Sequence, residues 1–206
     1  MHSLNPTLIT LLQLGAILAY LGVAWFEYQR IRQDRAPTRR QLVPLGAFAV
    51  GLHGLALVPQ LVMPDGALNL NIGHALSLFT WFIALVLLIA SAWRPVAILG
   101  LGVMPAAALV LLGELTFPSS EAMPVTVVDN PYLLGHIILS TSAYALLTLA
   151  AAQSVLLWMQ DRSLRQKHFS SGFNILPPLQ ALEEILFQII WTGFALLSIS
   201  MLSGIF

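Results

Sequence analysis

Cysteine is absent from this 206-residue chain. That absence excludes disulfides, thiolate zinc sites, cysteine nucleophiles and covalent capture of a cofactor through a CxxC pair. Charge is nearly absent as well. Only 9% of residues are charged, where a soluble domain carries about a quarter. The 9 Lys and Arg balance the 9 Asp and Glu, so no basic surface points to nucleic acid as a partner. The N-terminus lacks the charged n-region and small-residue cleavage site of a signal peptide, so the first apolar segment is expected to stay in the protein. No glycine-rich nucleotide loop, paired catalytic carboxylate motif or zinc helix signature is found.

Apolar residues fill the space that charge leaves. They make up 58% of the chain, more than one core of this size could hide from water. A lipid bilayer is therefore the expected surrounding. Apolar runs of about 20 residues mark membrane-crossing helices, and six are predicted: Pro6–Trp25, Leu42–Val62, Ile72–Trp93, Val96–Leu115, Tyr132–Trp158 and Leu182–Phe206. The fold class is all-α, a polytopic transmembrane helix bundle read as a single transmembrane domain over residues 1–206.

The cations set the expected orientation. Arg30, Arg32, Arg35, Arg39 and Arg40 lie between the first two helices, Arg94 between the third and fourth, and Arg162, Arg165 and Lys167 between the last two. Six alternating helices place them all on one side, which the positive-inside rule makes cytoplasmic. The N-terminus is then outside, and the chain is expected in a bacterial inner (plasma) membrane with its basic loops cytoplasmic. Trp25, Trp93 and Trp158 close their helices on that side as interfacial anchors. The last helix runs to Phe206 with no polar tail.

Polar side chains at membrane depth are costly and become the functional candidates. His53 lies near the middle of the second helix. Gly46, Ala49 and Ala56 share its face, which suits either close helix contact or a planar group. The choice between a metal ligand and a neutral imidazole bonded to a neighbouring helix stays open. His136 lies about one turn inside the fifth helix, with Ser140 and Tyr144 at i+4 and i+8. This stripe suits an iron ligand with hydrogen-bonding support, or equally a polar seam between helices. His74 opens the third helix at similar depth to His136, and the two would face one another if those helices are neighbours. His2 and His168 are read as solvated. Asn69 and Asn71 lead into the third helix as caps or polar ligand edges. Glu183 and Glu184 open the sixth helix, and Glu114 closes the fourth as an interfacial acid.

The stretch PYLLGHIILSTSAYALLTLAAAQSVLLWMQDRSL resembles the cytochrome c assembly membrane family (CcsA, CcmC and HemX-like proteins). A histidine at the outer end and a tyrosine eight residues later lead through an apolar run to a basic loop. LNLNIGHALSLFTWF resembles the family's asparagine-containing entry to an earlier helix. PPLQALEEILFQIIWTGFALLSISMLSGIF resembles the segment ending in its Leu-Ser-Gly. GLHGLAL around His53 is similar to the early intramembrane histidine segment of the YpjD branch, a bacterial inner-membrane subgroup. Together these blocks cover most of the chain from His53 onward.

The resemblance implies haem handling in cytochrome c assembly, by histidine ligation of haem iron rather than by bond-making. His136 matches the outer axial haem ligand, and His53 becomes the candidate for a haem b held within the bilayer. His74 inherits no role. The tryptophan-rich WWD motif that follows Leu-Ser-Gly in the CcsA branch is missing, as is the second outer histidine. The chain is therefore expected to be shortened at its C-terminus relative to the family; if it is complete, a bis-histidine outer site cannot form from matching residues. Implied partners are haem and cytochrome-assembly or other membrane proteins. Two alternatives remain: a membrane scaffold that keeps the fold without haem, and a small transporter with His53 and Glu114 along its path.

Overall fold

Each of the six apolar runs folds as a helix, because peptide groups deprived of water must satisfy one another within the segment. The computed structural model describes residues 5–33, 35, 39–117, 122–127, 131–166 and 177–204; His2 and His168 lie outside them. The helices are α1 (Pro6–Arg32), α2 (Arg39–Leu61), α3 (Ile72–Trp93), α4 (Gly100–Thr116), α5 (Pro131–Arg165) and α6 (Leu179–Ser203). A 3-10 turn, Ala97–Leu99, leads into α4. All six segments are long and apolar enough to cross a membrane.

Helices α1 and α5 outrun their predicted ends at Trp25 and Trp158, reaching Arg32 and Arg165. Hydropathy marks where lipid ends, whereas backbone hydrogen bonding continues through polar turns. In α5 those turns carry the Asp161–Arg165 pair at 2.8 Å. The 35 residues of α5 span roughly 50 Å at 1.5 Å each, against a hydrocarbon core of about 30 Å. Its arginine-bearing turns therefore stand outside the apolar slab that the rest of the helix fills. Helix direction alternates along the chain, so Arg30, Arg32, Arg35, Arg40, Arg94, Arg162 and Arg165 gather at one end. Trp25, Trp93 and Trp158 are exposed at the same end.

Helices α1 to α4 form a four-helix bundle in which α1 packs on α2 and α4, and α3 packs on the same two. α5 docks against α3, and α6 packs chiefly on α5. Small residues let the backbones approach, as membrane helices require. Gly46 lies under Leu88 and Gly54 under Trp81, and an added Cβ at Gly193 would stand 3.1 Å from Leu147 of α5. The outer side of α6 leaves Phe187, Trp191, Phe194, Met201 and Leu202 exposed, an apolar face suited to lipid.

The end without arginines is closed by a short two-stranded cap. β1 (Leu68–Asn69) pairs antiparallel with β2 (Pro124–Val125), Leu68 opposite Val125. Gly66 takes a φ of 84° to turn the chain into β1, a conformation that side chains with a Cβ resist. The Asn69 side chain accepts from Met123 N–H at 3.0 Å. Asn71 caps α3 by accepting from His74 N–H at 2.9 Å, in line with its predicted role.

Candidate functional site

The candidate residues fall into two groups, one inside the four-helix bundle and one on the α5–α6 pair. His53 has no exposed surface. Its Nδ1 is 3.1 Å from the Tyr20 hydroxyl of α1, and its Nε2 is 3.0 Å from the Ser77 hydroxyl of α3. A neutral imidazole has one donor and one acceptor nitrogen, and two hydroxyls satisfy both. The Tyr20 ring meets the imidazole edge-on. Ala49 and Ala56 on the same face are also fully buried, and Leu88 fills the space over Gly46. The small residues around His53 thus serve helix contact.

Ser77 leads outward from His53 towards a second histidine. Ser77 and His74 stand one turn apart on the same face of α3. His74 Nε2 lies 3.5 Å from Glu114 Oε1, with side chains only 14% and 7% exposed. Neither Glu114 oxygen completes a hydrogen bond among the described residues. The other nitrogen of His74 is 3.2 Å from the Asn69 carbonyl. Only an N–H can bond a carbonyl, so Nδ1 carries the hydrogen.

His136 is held differently. Its Nδ1 is 2.9 Å from the Ser200 carbonyl of α6, with the Ser203 hydroxyl at 3.3 Å. Nδ1–H donates to the carbonyl, which fixes the tautomer and leaves the Nε2 lone pair without a protein partner among the described residues. Gly204 gives the ring its room, because a Cβ there would stand 3.2 Å from Cε1 and 3.4 Å from Nδ1. An imidazole oriented through Nδ1–H with Nε2 free is the usual disposition of a metal-ligating histidine.

Ser140 and Tyr144 do not support that ring. Ser140 donates back to the His136 carbonyl at 2.7 Å. Together with Tyr144 it lines a groove of about 280 Å³ between α5 and α3, at the low end of small-molecule pockets. α3 and α5 are neighbours, as His74 facing His136 required. Yet His74 turns to Glu114 and Asn69 while His136 turns to Ser200, so the structure does not bring the two together.

Tyr20, Ser77 and the Leu-Ser-Gly end of α6 escaped the sequence reading as site residues. Tyr20 sits among apolar neighbours and Ser77 is one serine among many; only the partner across the bundle gives them meaning. A further buried acid, Glu27 of α1, is 1% exposed, and its carboxyl oxygens lack a hydrogen bond among the described residues.

Comparison with known proteins places these residues in context. A family model described as cytochrome C assembly protein matches residues 44–206. The chain is 32% identical over 193 residues to the inner membrane protein YpjD of Escherichia coli strain K12, covering 93% of this chain and 72% of that protein. It is 27% identical over 198 residues to an uncharacterized 28.8 kDa protein in the nifR3-like 5' region of Azospirillum brasilense, covering 93% and 70%. No solved structure matches.

Proposed function

From the premise that this chain belongs to the cytochrome c assembly protein family, we propose that it takes part in cytochrome c maturation in the inner membrane by holding haem b through His136. The observation that carries this reading is the His136 ring, with Nδ1 anchored on the Ser200 carbonyl and Nε2 unengaged among the described residues. When bound, haem iron supplies a Lewis-acidic centre for an imidazole lone pair. The chain's own contribution is orientation. Ser200 sets the tautomer, Ser203 adds a second polar contact, and Gly204 leaves the ring unobstructed. The positive-inside rule puts the arginine end in the cytoplasm and His136 at the outer face, where haem would be passed to a partner.

His53 contributes little to this reading in the observed arrangement. Ligation there would have to replace the Ser77 or Tyr20 hydroxyl and part the helices around a fully buried ring. His74 is likewise engaged on both sides.

The test is a haem titration of the purified full chain in nanodiscs, followed by its Soret band. His136→Ala is expected to weaken binding at least about tenfold, the lower range for disturbing a metal site. His53→Ala should leave the shape of the spectrum unchanged. No Soret band in the wild type, or an identical titration in His136→Ala, sinks the proposal.

A further inference from the structure

Between Pro6 and Phe26 of α1, and over Leu42–Leu61, Ile72–Trp93 and Gly100–Thr116 of the other bundle helices, the titratable side chains are Tyr20, His53, His74 and Glu114. They come from four different helices, yet they form one series. Tyr20 bonds His53, His53 bonds Ser77, Ser77 shares a face of α3 with His74, and His74 lies between Glu114 and the Asn69 carbonyl of the cap. Each buried polar group costs free energy unless it finds a partner.

The outer pair in this series needs a proton that a simple inventory does not provide. His74 Nδ1–H is committed to the Asn69 carbonyl, so neutral His74 turns a lone pair towards Glu114 Oε1 at 3.5 Å. An ionised carboxylate facing that lone pair would set acceptor against acceptor in a buried site. One added proton removes the conflict, either as imidazolium with carboxylate or as imidazole with carboxylic acid. A metal ion is a poorer occupant. No group of three His, Cys, Asp or Glu that could hold one occurs among the described residues, and two ligands are too few for the usual protein sites.

We propose that Glu114 and His74 bind one exchangeable proton between them at the outer end of a side-chain relay running through Ser77 to His53 and Tyr20. Proton activity at the cap then sets the hydrogen bonding of the bundle interior. The relay has a consistent polarity. With His53 as its Nε2–H tautomer, Tyr20 O–H donates to His53 Nδ1 and His53 Nε2–H donates to Ser77 Oγ, which leaves the Ser77 O–H to donate onward to Glu114. A small rotation of the Glu114 side chain, or one bridging water, completes the last link.

Among the described residues few other charges face the pair. α1 offers only Tyr20 until Glu27, Arg30 and Arg32 at the opposite end, and the 3-10 turn offers none. α2 offers His53 alone, short of its arginine start, and the link before β1 offers Asp65, which is exposed. α5, packed on α3, carries Tyr132, His136 and Tyr144 over its outer half. His136 is turned to α6.

This inference goes beyond the haem reading and is tested in haem-free protein. The full chain in nanodiscs, labelled with ¹⁵N-histidine, is titrated by NMR while infrared spectroscopy follows the carboxylic acid C=O stretch. In a Glu27→Gln background, which removes the other buried carboxyl, the expected result is one buried carboxylic acid band that disappears on deprotonation over the same pH range in which His74 and then His53 change shift. Glu114→Gln should abolish the band, and His74→Gln should move its midpoint by about one pH unit or more. Ser77→Ala should silence the response of His53 while that of His74 persists, and Ser77→Thr should restore it. Helical circular dichroism checks that each variant is folded, and Ser77→Thr keeps the test valid if Ser77→Ala is not. A band that survives Glu114→Gln, a midpoint unmoved in His74→Gln, or a His53 shift indifferent to the titration overturns the proposal.

Discussion

His53 and His136 are the same side chain in opposite circumstances. His53 lies among four helices and has both nitrogens held by hydroxyls from two neighbours. His136 lies between two helices at the rim, with one nitrogen held by a carbonyl and the other unengaged among the described residues. The first arrangement stabilises the bundle and passes hydrogen bonds through it. The second leaves one ring nitrogen open, as the proposed haem ligation requires. The number of ring nitrogens that the protein has claimed therefore separates the two roles better than depth in the membrane does.

The sharpest way to break this comparison uses the absence of cysteine. Single cysteines at His53→Cys and His136→Cys can be labelled with a membrane-impermeant maleimide without background. Position 136 is expected to react from the face opposite the arginines. Position 53 should react at least about 100-fold more slowly, because access there requires an opening that costs several kcal/mol. Similar rates at the two positions, or labelling of 136 only from the arginine side, would remove the basis of the contrast.

Stability offers a smaller effect. His53→Ala strands the Tyr20 and Ser77 hydroxyls in a buried cavity, and the combined loss should be about 3 kcal/mol. His136→Ala releases one carbonyl near the rim and should cost less than about 1 kcal/mol. Thermal unfolding of both variants in the same detergent measures the difference. Equal losses would mean that the rim site is as structural as the interior one.

The membrane fold was legible because apolar length is a one-dimensional signal. Six runs gave six helices, and the arginines share one end in the structure as the alternation required. The polar ends were read short, since hydropathy stops at Trp25 and Trp158 while the backbone continues to Arg32 and Arg165. His53 and His136 were visible as candidates because histidine is rare in such a chain. Their partners were not. Tyr20 and His53 stand 33 positions apart, and His136 and Ser200 stand 64 apart, separations that no helical period connects. The pairing of His74 with Glu114 depended on its χ angles and on Asn69 in a two-residue strand, too short to show in any pattern.

Helix α6 allows the two regions to be perturbed separately. Gly193→Leu pushes side-chain atoms into Leu147 and Leu146 of α5 and should cost about 1–3 kcal/mol by overpacking. It acts on the same pair of helices that holds His136 on Ser200, so haem affinity should fall several-fold while the His53 resonances stay in place. A shift of His53 in this variant would show that the bundle and the α5–α6 pair move as one unit.

The smallest effect comes from the arginine end of α5. Asp161 and Arg165 make a 2.8 Å ion pair one turn apart, with side chains 40% and 78% exposed. Its geometry is better than that of the 3.5 Å contact between His74 and Glu114, and a count of ion pairs would rank it first. Solvent reverses that ranking, because water and salt screen exposed charges and both long side chains lose freedom in pairing. Asp161→Asn should therefore leave stability nearly unchanged, and raising the salt should erase the remainder. Glu114→Gln changes the longer, buried contact and should leave a difference that salt does not erase. Thermal unfolding of the two variants at low and high salt decides the matter, and a salt-sensitive Glu114→Gln would place that carboxyl in solvent rather than inside the bundle.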